Sequence, residues 1–171
     1  MVNSIKRNDF SASRVSISML REDLKNKIRK GIINKNNEKI ATKYYFGYLE
    51  KITLIALERE DYEVLDEISK FFEFLGIEAC KAGLFIMLEN IATTISSCEK
   101  INLEKGNHPN IYSVESLRNI TSFLIDKNCD EKIIFEFVRS IFFICYDAGE
   151  KRYYHFIKDG EKSLKILKKN W

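Results

Sequence analysis

The sequence predicts an all-α protein of six or seven antiparallel helices, arranged as a helical bundle or as a short α-solenoid of helical hairpins. Apolar residues recur at intervals of three and four over most of the chain, which is the period of a helix buried on one side. The 171 residues include seven glycines and one proline, too few for the many tight turns of an all-β chain. This length suits one domain with a substantial core.

Residues 1–16 are polar and irregular, so we expect a flexible N-terminal arm followed by a single helical domain over residues 17–171. A loop over residues 102–112, which contains Gly106 and Pro109, divides that domain into two sets of helices. The predicted helices cover residues 18–33, 38–59, 61–76, 78–101, 113–126, 128–149 and 151–170.

The first two helices each show one apolar stripe. In the first helix the stripe is Leu20, Leu24, Ile28 and Ile32. In the second helix it is Ile40, Tyr44, Tyr48, Ile52 and Ile55, with Ala41, Tyr45, Leu49 and Ala56 alongside. We therefore expect these stripes to face the core, and the exposed face of the first helix to be basic, with Lys25, Lys27, Arg29 and Lys30.

The third and fourth helices form the predicted centre of the fold. Asp61 suits an N-cap, and Gly76 is predicted to end the third helix because glycine adopts the left-handed conformation without steric cost. The fourth helix has its main stripe at Leu84, Leu88, Ile91, Ile95 and Cys98. It is also apolar on other sides, so several neighbouring helices should cover it. Charged residues such as Lys81 and Glu89 interrupt it too often for a membrane span.

The last three helices have weaker boundaries. Ser113 is the predicted N-cap of the fifth helix, and Asn128 followed by Glu131 resembles a capping box that begins the sixth. The sixth helix is apolar on a wide arc, at Ile133, Ile134, Phe137, Val138, Ile141, Phe142 and Cys145. A strand is the alternative there, but the polar residues fall on one helical side. The seventh has Tyr153, Ile157, Gly160, Leu164, Leu167 and Trp171 in register.

A short internal similarity links residues 71–79 with residues 142–150, where an apolar helix end, a glycine and an acidic residue follow one another. The piece Leu75-Gly76-Ile77-Glu78-Ala79 also resembles the turn of HEAT-like helical repeats. The resemblance covers about residues 61–83 and 133–151. It implies a stack of α-hairpins that acts as a scaffold.

Charge is distributed unevenly along the chain. Residues 1–35 contain nine basic and three acidic residues, residues 61–104 contain three basic and nine acidic, and residues 151–171 contain seven basic and two acidic. The basic faces of the first and last helices are the predicted partner contacts: Lys25, Arg29, Lys30, Lys158, Lys162, Lys165 and Lys169. An anionic partner such as nucleic acid is one interpretation. The other is that the basic ends fold over the acidic middle, or dimerise against it.

No signature of catalysis, metal binding or phosphate binding occurs in the sequence, and we expect no cofactor. His155 and Asp159 form an i,i+4 pair, but no second histidine lies near them in sequence. If a small-molecule pocket exists, we expect it near Tyr44, Tyr48, Tyr153 and His155, because tyrosines favour the edge of a core.

The four cysteines are spaced too widely for a zinc knuckle or a redox motif, which indicates a reducing compartment. We therefore expect a non-enzymatic cytoplasmic scaffold or adaptor that binds another protein or its own copy. One alternative is a ligand-sensing or catalytic helical bundle with its pocket near the tyrosines. The other is a basic accessory protein that associates with nucleic acid.

Overall fold

The computed structural model describes the backbone of residues 10–170, and the side chains of residues 15–165, 167 and 168. In this part of the chain there are seven helices and no strand, which confirms the all-α prediction. No helix in it is both long and apolar enough to span a bilayer. The helices are α1 (Phe10–Arg29), α2 (Glu38–Glu58), α3 (Tyr62–Ala82), α4 (Phe85–Glu104), α5 (Ile111–Asp126), α6 (Glu131–Glu150) and α7 (Tyr154–Asn170).

The helices stack in two layers. Each odd-numbered helix packs on the next odd-numbered one, so that α1, α3, α5 and α7 form one layer. The second layer contains α2, α4 and α6, which pack on one another in that order. Each even-numbered helix also contacts the odd-numbered helix that follows it. The result is a two-layer array, the arrangement of a short α-solenoid.

Helices within one layer run parallel to each other. The Glu38 carboxylate at the start of α2 accepts a hydrogen bond of 2.7 Å from the backbone N–H of Met87, in the first turn of α4. In the other layer, Arg29 at the end of α1 pairs with Glu78 near the end of α3. Matching ends therefore lie side by side, and successive helices of the chain are antiparallel.

The core runs through the middle of the array, between the two layers. The predicted α4 stripe is confirmed, because Leu84, Leu88, Ile91, Ile95 and Cys98 are all buried. Helix α4 contacts α2, α3, α5 and α6. Its apolar residues on more than one side are explained by these four neighbours.

Gly76 does not end a helix, so that prediction is wrong. Helix α3 continues to Ala82, and Gly83 follows it with a left-handed φ of 66°. Gly76 lies inside α3, where a β-carbon would come within 2.9 Å of the Ile120 side chain. The missing side chain lets α5 approach α3 closely. The segment Leu75–Ala79 is therefore helix interior and not a turn.

Most helices end with the same backbone motif. An N–H bonds to the carbonyl five residues earlier, as from Leu84 to Ala79 and from Tyr153 to Ala148. The residue before that N–H has a positive φ in each case. These residues are Glu60, Gly83, Gly106, Asn128 and Arg152, and only two are glycines. Glycine alone was therefore an incomplete guide to the helix ends.

Several other predicted boundaries are also wrong. Helix α1 begins at Phe10 rather than Ser18, and the predicted arm over residues 1–16 overlaps it from residue 10 onward. Asn110, and not Ser113, caps α5 by accepting from the Tyr112 N–H. Asp130, and not Asn128, caps α6. The register position predicted for Trp171 lies outside the described residues.

The inward face predicted for α2 is rotated from the real one. Ile40, Tyr44 and Tyr48 are exposed. The buried face instead contains Tyr45, Phe46, Leu49, Ile52 and Ala56. Both stripes have helical spacing, and the aromatic residues between them make the apolar arc too wide for periodicity to choose one side.

We expect Gly76→Ala to lower the free energy of unfolding by about 1–2 kcal/mol, because the new methyl group would press on the buried Ile120. Gly47 is the matched control: it lies inside α2, and nothing lies within 4 Å of the β-carbon position. There, Gly47→Ala should stabilise by about 0.5–1 kcal/mol through helix propensity. Urea unfolding of both variants measures the difference. Equal effects at the two positions would contradict the close packing of α3 and α5.

Candidate functional site

The predicted basic contact residues form two separate groups. Lys25, Arg29 and Lys30 belong to α1, at one end of the odd-numbered layer, and Lys158, Lys162 and Lys165 belong to α7, at its other end. The Lys169 side chain lies outside the described residues. Three interhelical steps of 8–10 Å separate α1 from α7, which places the two groups roughly 25–30 Å apart. They do not form one continuous basic surface.

Part of the basic charge of α1 is used inside the fold. The Arg29 guanidinium contacts the Glu78 carboxylate at 2.5 Å, and Lys81 contacts the same carboxylate at 3.1 Å. Hydrogen bonding to Arg29, more than any other contact, lowers the pKa of the Glu78 carboxyl to about 2. Lys25 pairs with Glu22 and lies over the Phe74 ring. Arg29 and Lys25, two of the three α1 residues predicted to contact a partner, therefore already have partners in their own chain.

The residues predicted for a tyrosine pocket are not brought together. Tyr44 and Tyr48 are exposed on α2, with their rings 5.5 Å apart. Tyr153 lies in the α6–α7 connection, where its ring meets that of His108 at 5.3 Å. His155 is exposed on α7, and the neighbouring Asp159 pairs with Lys162.

A fully buried carboxyl group, that of Glu99, holds the loop between α4 and α5 in place. Glu99 of α4 accepts hydrogen bonds from the Asn110 N–H at 2.7 Å and the Ser113 hydroxyl at 3.0 Å. Asn102 donates to it as well, at 3.3 Å. Burial raises the pKa of Glu99 to about 7. Because its side chain is buried and its oxygens bind Asn110, the N-cap residue of α5, and Ser113, Glu99 fixes the start of that helix and is not accessible to a substrate.

Three of the thiols, those of Cys80, Cys98 and Cys145, are not activated as nucleophiles. Burial raises the pKa of Cys80 and Cys145 to about 11, and that of Cys98 to about 12. A nucleophilic cysteine needs the opposite shift. Among the side chains that the structure describes, no group of three or more histidines, cysteines and carboxylates could hold a metal ion.

An apolar seam runs along α6, which we define as Phe135, Val138, Phe142, Cys145 and Gly149. These residues follow the 3,4-spacing of a helix that packs on another helix. All five are half-buried or exposed, and 55% of Phe142 is exposed to solvent. The opposite face of α6 is buried against the core. Helix α6 thus has two apolar faces. Its own chain buries the core face and covers the seam only near its C-terminal end, where Cys145 packs on Gly160 and Gly149 lies against Ile157.

The seam forms one wall of a groove between α6 and α7, with a volume of about 320 Å³. Phe142, Cys145 and Tyr146 line it from α6, and Ile157 and Leu164 line it from α7. The Phe142 and Tyr146 rings are stacked with centroids 6.3 Å apart. The Glu150 and Glu161 carboxylates lie at its rim. An exposed apolar groove with a polar rim is typical of a protein-binding surface.

Comparison with known proteins identifies no relative. No protein-family model, curated protein or solved structure matches this chain. The functional argument therefore depends on the surface itself.

The seam was missed because the sequence placed Phe142 and Cys145 in one wide apolar arc with Ile133, Phe137 and Ile141 and did not divide that arc into a buried and an exposed face. The wide apolar arc of α6 was the available signal. A helix with neighbours on all sides can bury such an arc, as α4 does. Helix α6 contacts α4 within its layer, but no described helix lies on its other side. The number of neighbours, which periodicity does not reveal, decides which part of the arc is exposed.

The raised pKa of Glu99 makes stability depend on pH. Because the pKa in the folded chain, about 7, exceeds the ordinary value of 4.5, the folded state favours the protonated form. The stability that the folded chain gains by binding the Glu99 proton more tightly is complete below about pH 4.5 and is lost as the pH rises through 7. Relative to Glu99→Gln, the natural chain should lose about 1–3 kcal/mol between pH 5 and pH 8. Urea unfolding across this range measures it, with the exposed Glu104→Gln as control. A constant difference would contradict the assignment.

Proposed function

We propose that this protein is a non-enzymatic helical scaffold that binds another protein in the groove between α6 and α7. The observation that carries the proposal is the second apolar face of α6. A solvated helix face ordinarily carries polar residues, whereas this face presents Phe135 and Phe142 at the spacing of a helix-packing surface. The occupant that fits such a groove is an amphipathic helix with apolar residues at similar spacing.

The size of the apolar surface supports this proposal. The rings of Phe135, Phe142 and Tyr146 are each about half exposed. Since each aromatic side chain has about 150–250 Å² of surface, the three leave roughly 300 Å² uncovered. Apolar patches of this size on a monomer are often binding sites. Burying it in a complex would contribute about 7 kcal/mol of transfer free energy, before the costs of association.

The buried polar groups support a structural role in place of a catalytic one. Glu38 accepts from the first turn of α4, Glu99 accepts from the N-cap residue of α5, and Glu78 pairs with α1. We further propose that the array is a HEAT-like repeat. In support, α2, α4 and α6 begin at residues 38, 85 and 131, which are 47 and 46 residues apart, close to the HEAT period of about 40–47. The free cysteines suit the reducing cytoplasm, where we propose that the protein acts.

Site-specific photo-crosslinking in cells that naturally express the protein tests the proposal. With a photoreactive phenylalanine analogue in place of Phe142, we expect adducts heavier than the 20.1 kDa chain, because a bound partner would cover this ring. Tyr62, an equally exposed aromatic residue on α3, is the matched position outside the groove. A second substitution, Leu164→Glu in the opposite wall, should abolish the adducts at position 142. Equal yields at positions 142 and 62, or adducts insensitive to Leu164→Glu, would refute the groove as a binding site.

A further inference from the structure

We propose that the occupant of the groove is a second copy of this chain, whose α7 packs on the α6 seam so that the two α6–α7 hairpins form a four-helix bundle about a twofold axis. This inference rests on the proposed function, since it names the partner of the same groove. It commits to one geometry, in which each copy provides both a seam and a helix that covers the other seam.

The stagger of the two layers favours this geometry. Helix α6 contacts both α5 and α7, so α7 extends one step further along the stack than α6 does. The α6 seam therefore faces a position in its own layer next to the protruding α7. A twofold axis parallel to the helices and between the layers places the odd-numbered layer of the second copy in line with the even-numbered layer of the first. The even-numbered layer of the second copy then lies in line with the odd-numbered layer of the first. The protruding α7 of each copy then enters the position beside the α6 seam of the other.

Helix α7 has a suitable face for this contact. Its core side contains Phe156, Gly160, Ser163 and Leu167, all buried. Ile157 and Leu164 lie beside that core side and are half-buried in the groove wall. They are seven residues apart, which is two helical turns, and so present one apolar strip to a neighbouring helix. The α6 seam and the α7 strip (Ile157 and Leu164) are each too narrow to form a core alone. In the dimer, the two seams and the two strips together form the core of a four-helix bundle.

The charges near the ends of the two helices are complementary in this arrangement, and Glu161 lies between them on the groove rim. Glu131 and Glu150 are exposed at the two ends of α6, and Lys158, Lys165 and Lys168 are exposed on α7. The axis keeps the helix directions of both copies, so α7 of one copy runs antiparallel to α6 of the other. Lys158 then lies toward the Glu150 end, and Lys168 lies toward the Glu131 end. Two lysines predicted from sequence to contact a partner, Lys158 and Lys165, belong to this surface.

The available area is sufficient for a dimer. Helices of 20 and 17 residues with a rise of 1.5 Å per residue give a face about 30 Å long, and two helices side by side are about 20 Å wide. Each copy therefore presents roughly 600 Å², or about 1,200 Å² in total, which exceeds the approximate 1,000 Å² expected of a specific interface. A twofold contact is also the commonest way in which identical chains associate.

Sedimentation of the full chain from micromolar to submillimolar concentration tests the inference. We expect a mass of twice 20.1 kDa at the higher concentrations, returning to the chain mass in Phe142→Lys and in Leu164→Glu. Tyr62→Lys, on an exposed aromatic of the other layer, should leave the dimer intact. Because Phe142 and Leu164 face exposed groove space, both disruptive variants should keep the helical circular dichroism of the natural chain.

Mixing the two disruptive variants tests the geometry itself. Position 142 of one copy lies against position 164 of the other, so the new lysine and the new glutamate attract each other in a mixed pair. An equimolar mixture of Phe142→Lys and Leu164→Glu should therefore recover a dimer that neither variant forms alone.

A natural chain that stays at 20.1 kDa, or a dimer that survives both substitutions, would overturn the inference. A mixture that stays monomeric would overturn the proposed pairing of α6 with α7. If the chain is monomeric but position 142 still crosslinks to other proteins, the proposed function stands without self-association.

Discussion

Packing between helices two positions apart in the chain determines which faces of this protein are buried. Within a layer, α3, α4 and α5 are each covered on one side by the helix that precedes them by two and on the other by the helix that follows them by two. Helix α4 is covered on both sides, so its wide apolar arc is in the core except for Phe85 and Ile86 in its first turn. Helix α6 is covered by α4 on one side, and in the described residues nothing covers the other side. The exposed seam follows from this asymmetry.

The polar groups of the interior serve the same architecture. Leu84 precedes α4 and has no side chain that can cap it, so Glu38 provides the acceptor from the start of α2, 49 residues earlier than Met87. Glu99 does the same for α5 from the end of α4. A carboxylate at a helix N-terminus satisfies unpaired N–H groups and interacts favourably with the helix dipole. These acidic residues connect neighbouring helices, and their burial raises the pKa of both carboxyls.

The sequence was sufficient for the fold class and for the central helix. Periodicity placed helices in nearly every correct segment, and the α4 stripe is confirmed in full. Two kinds of detail could not be predicted from the sequence. Gly76 reads as a helix stop in sequence, but it is inside α3 because a contact with Ile120, 44 residues later, requires a residue without a side chain. The faces of α2 and α6 depend on which neighbours exist, and that is a property of the assembled array. The groove between α6 and α7 was missed for the same reason.

The central claim is that the helices form an open two-layer stack, with α1 and α7 at opposite ends of one layer. The distance between spin labels on exposed positions of these helices, Asn26 and Lys165, tests it most directly. Labels introduced through an unnatural amino acid leave the native cysteines unchanged, and dilution with unlabelled chain removes distances between copies. An open stack predicts a single distribution centred at about 25–35 Å, from three interhelical steps plus the label linkers. A distance near 10–15 Å, the spacing of adjacent helices, would mean that the array closes into a bundle and would contradict the account.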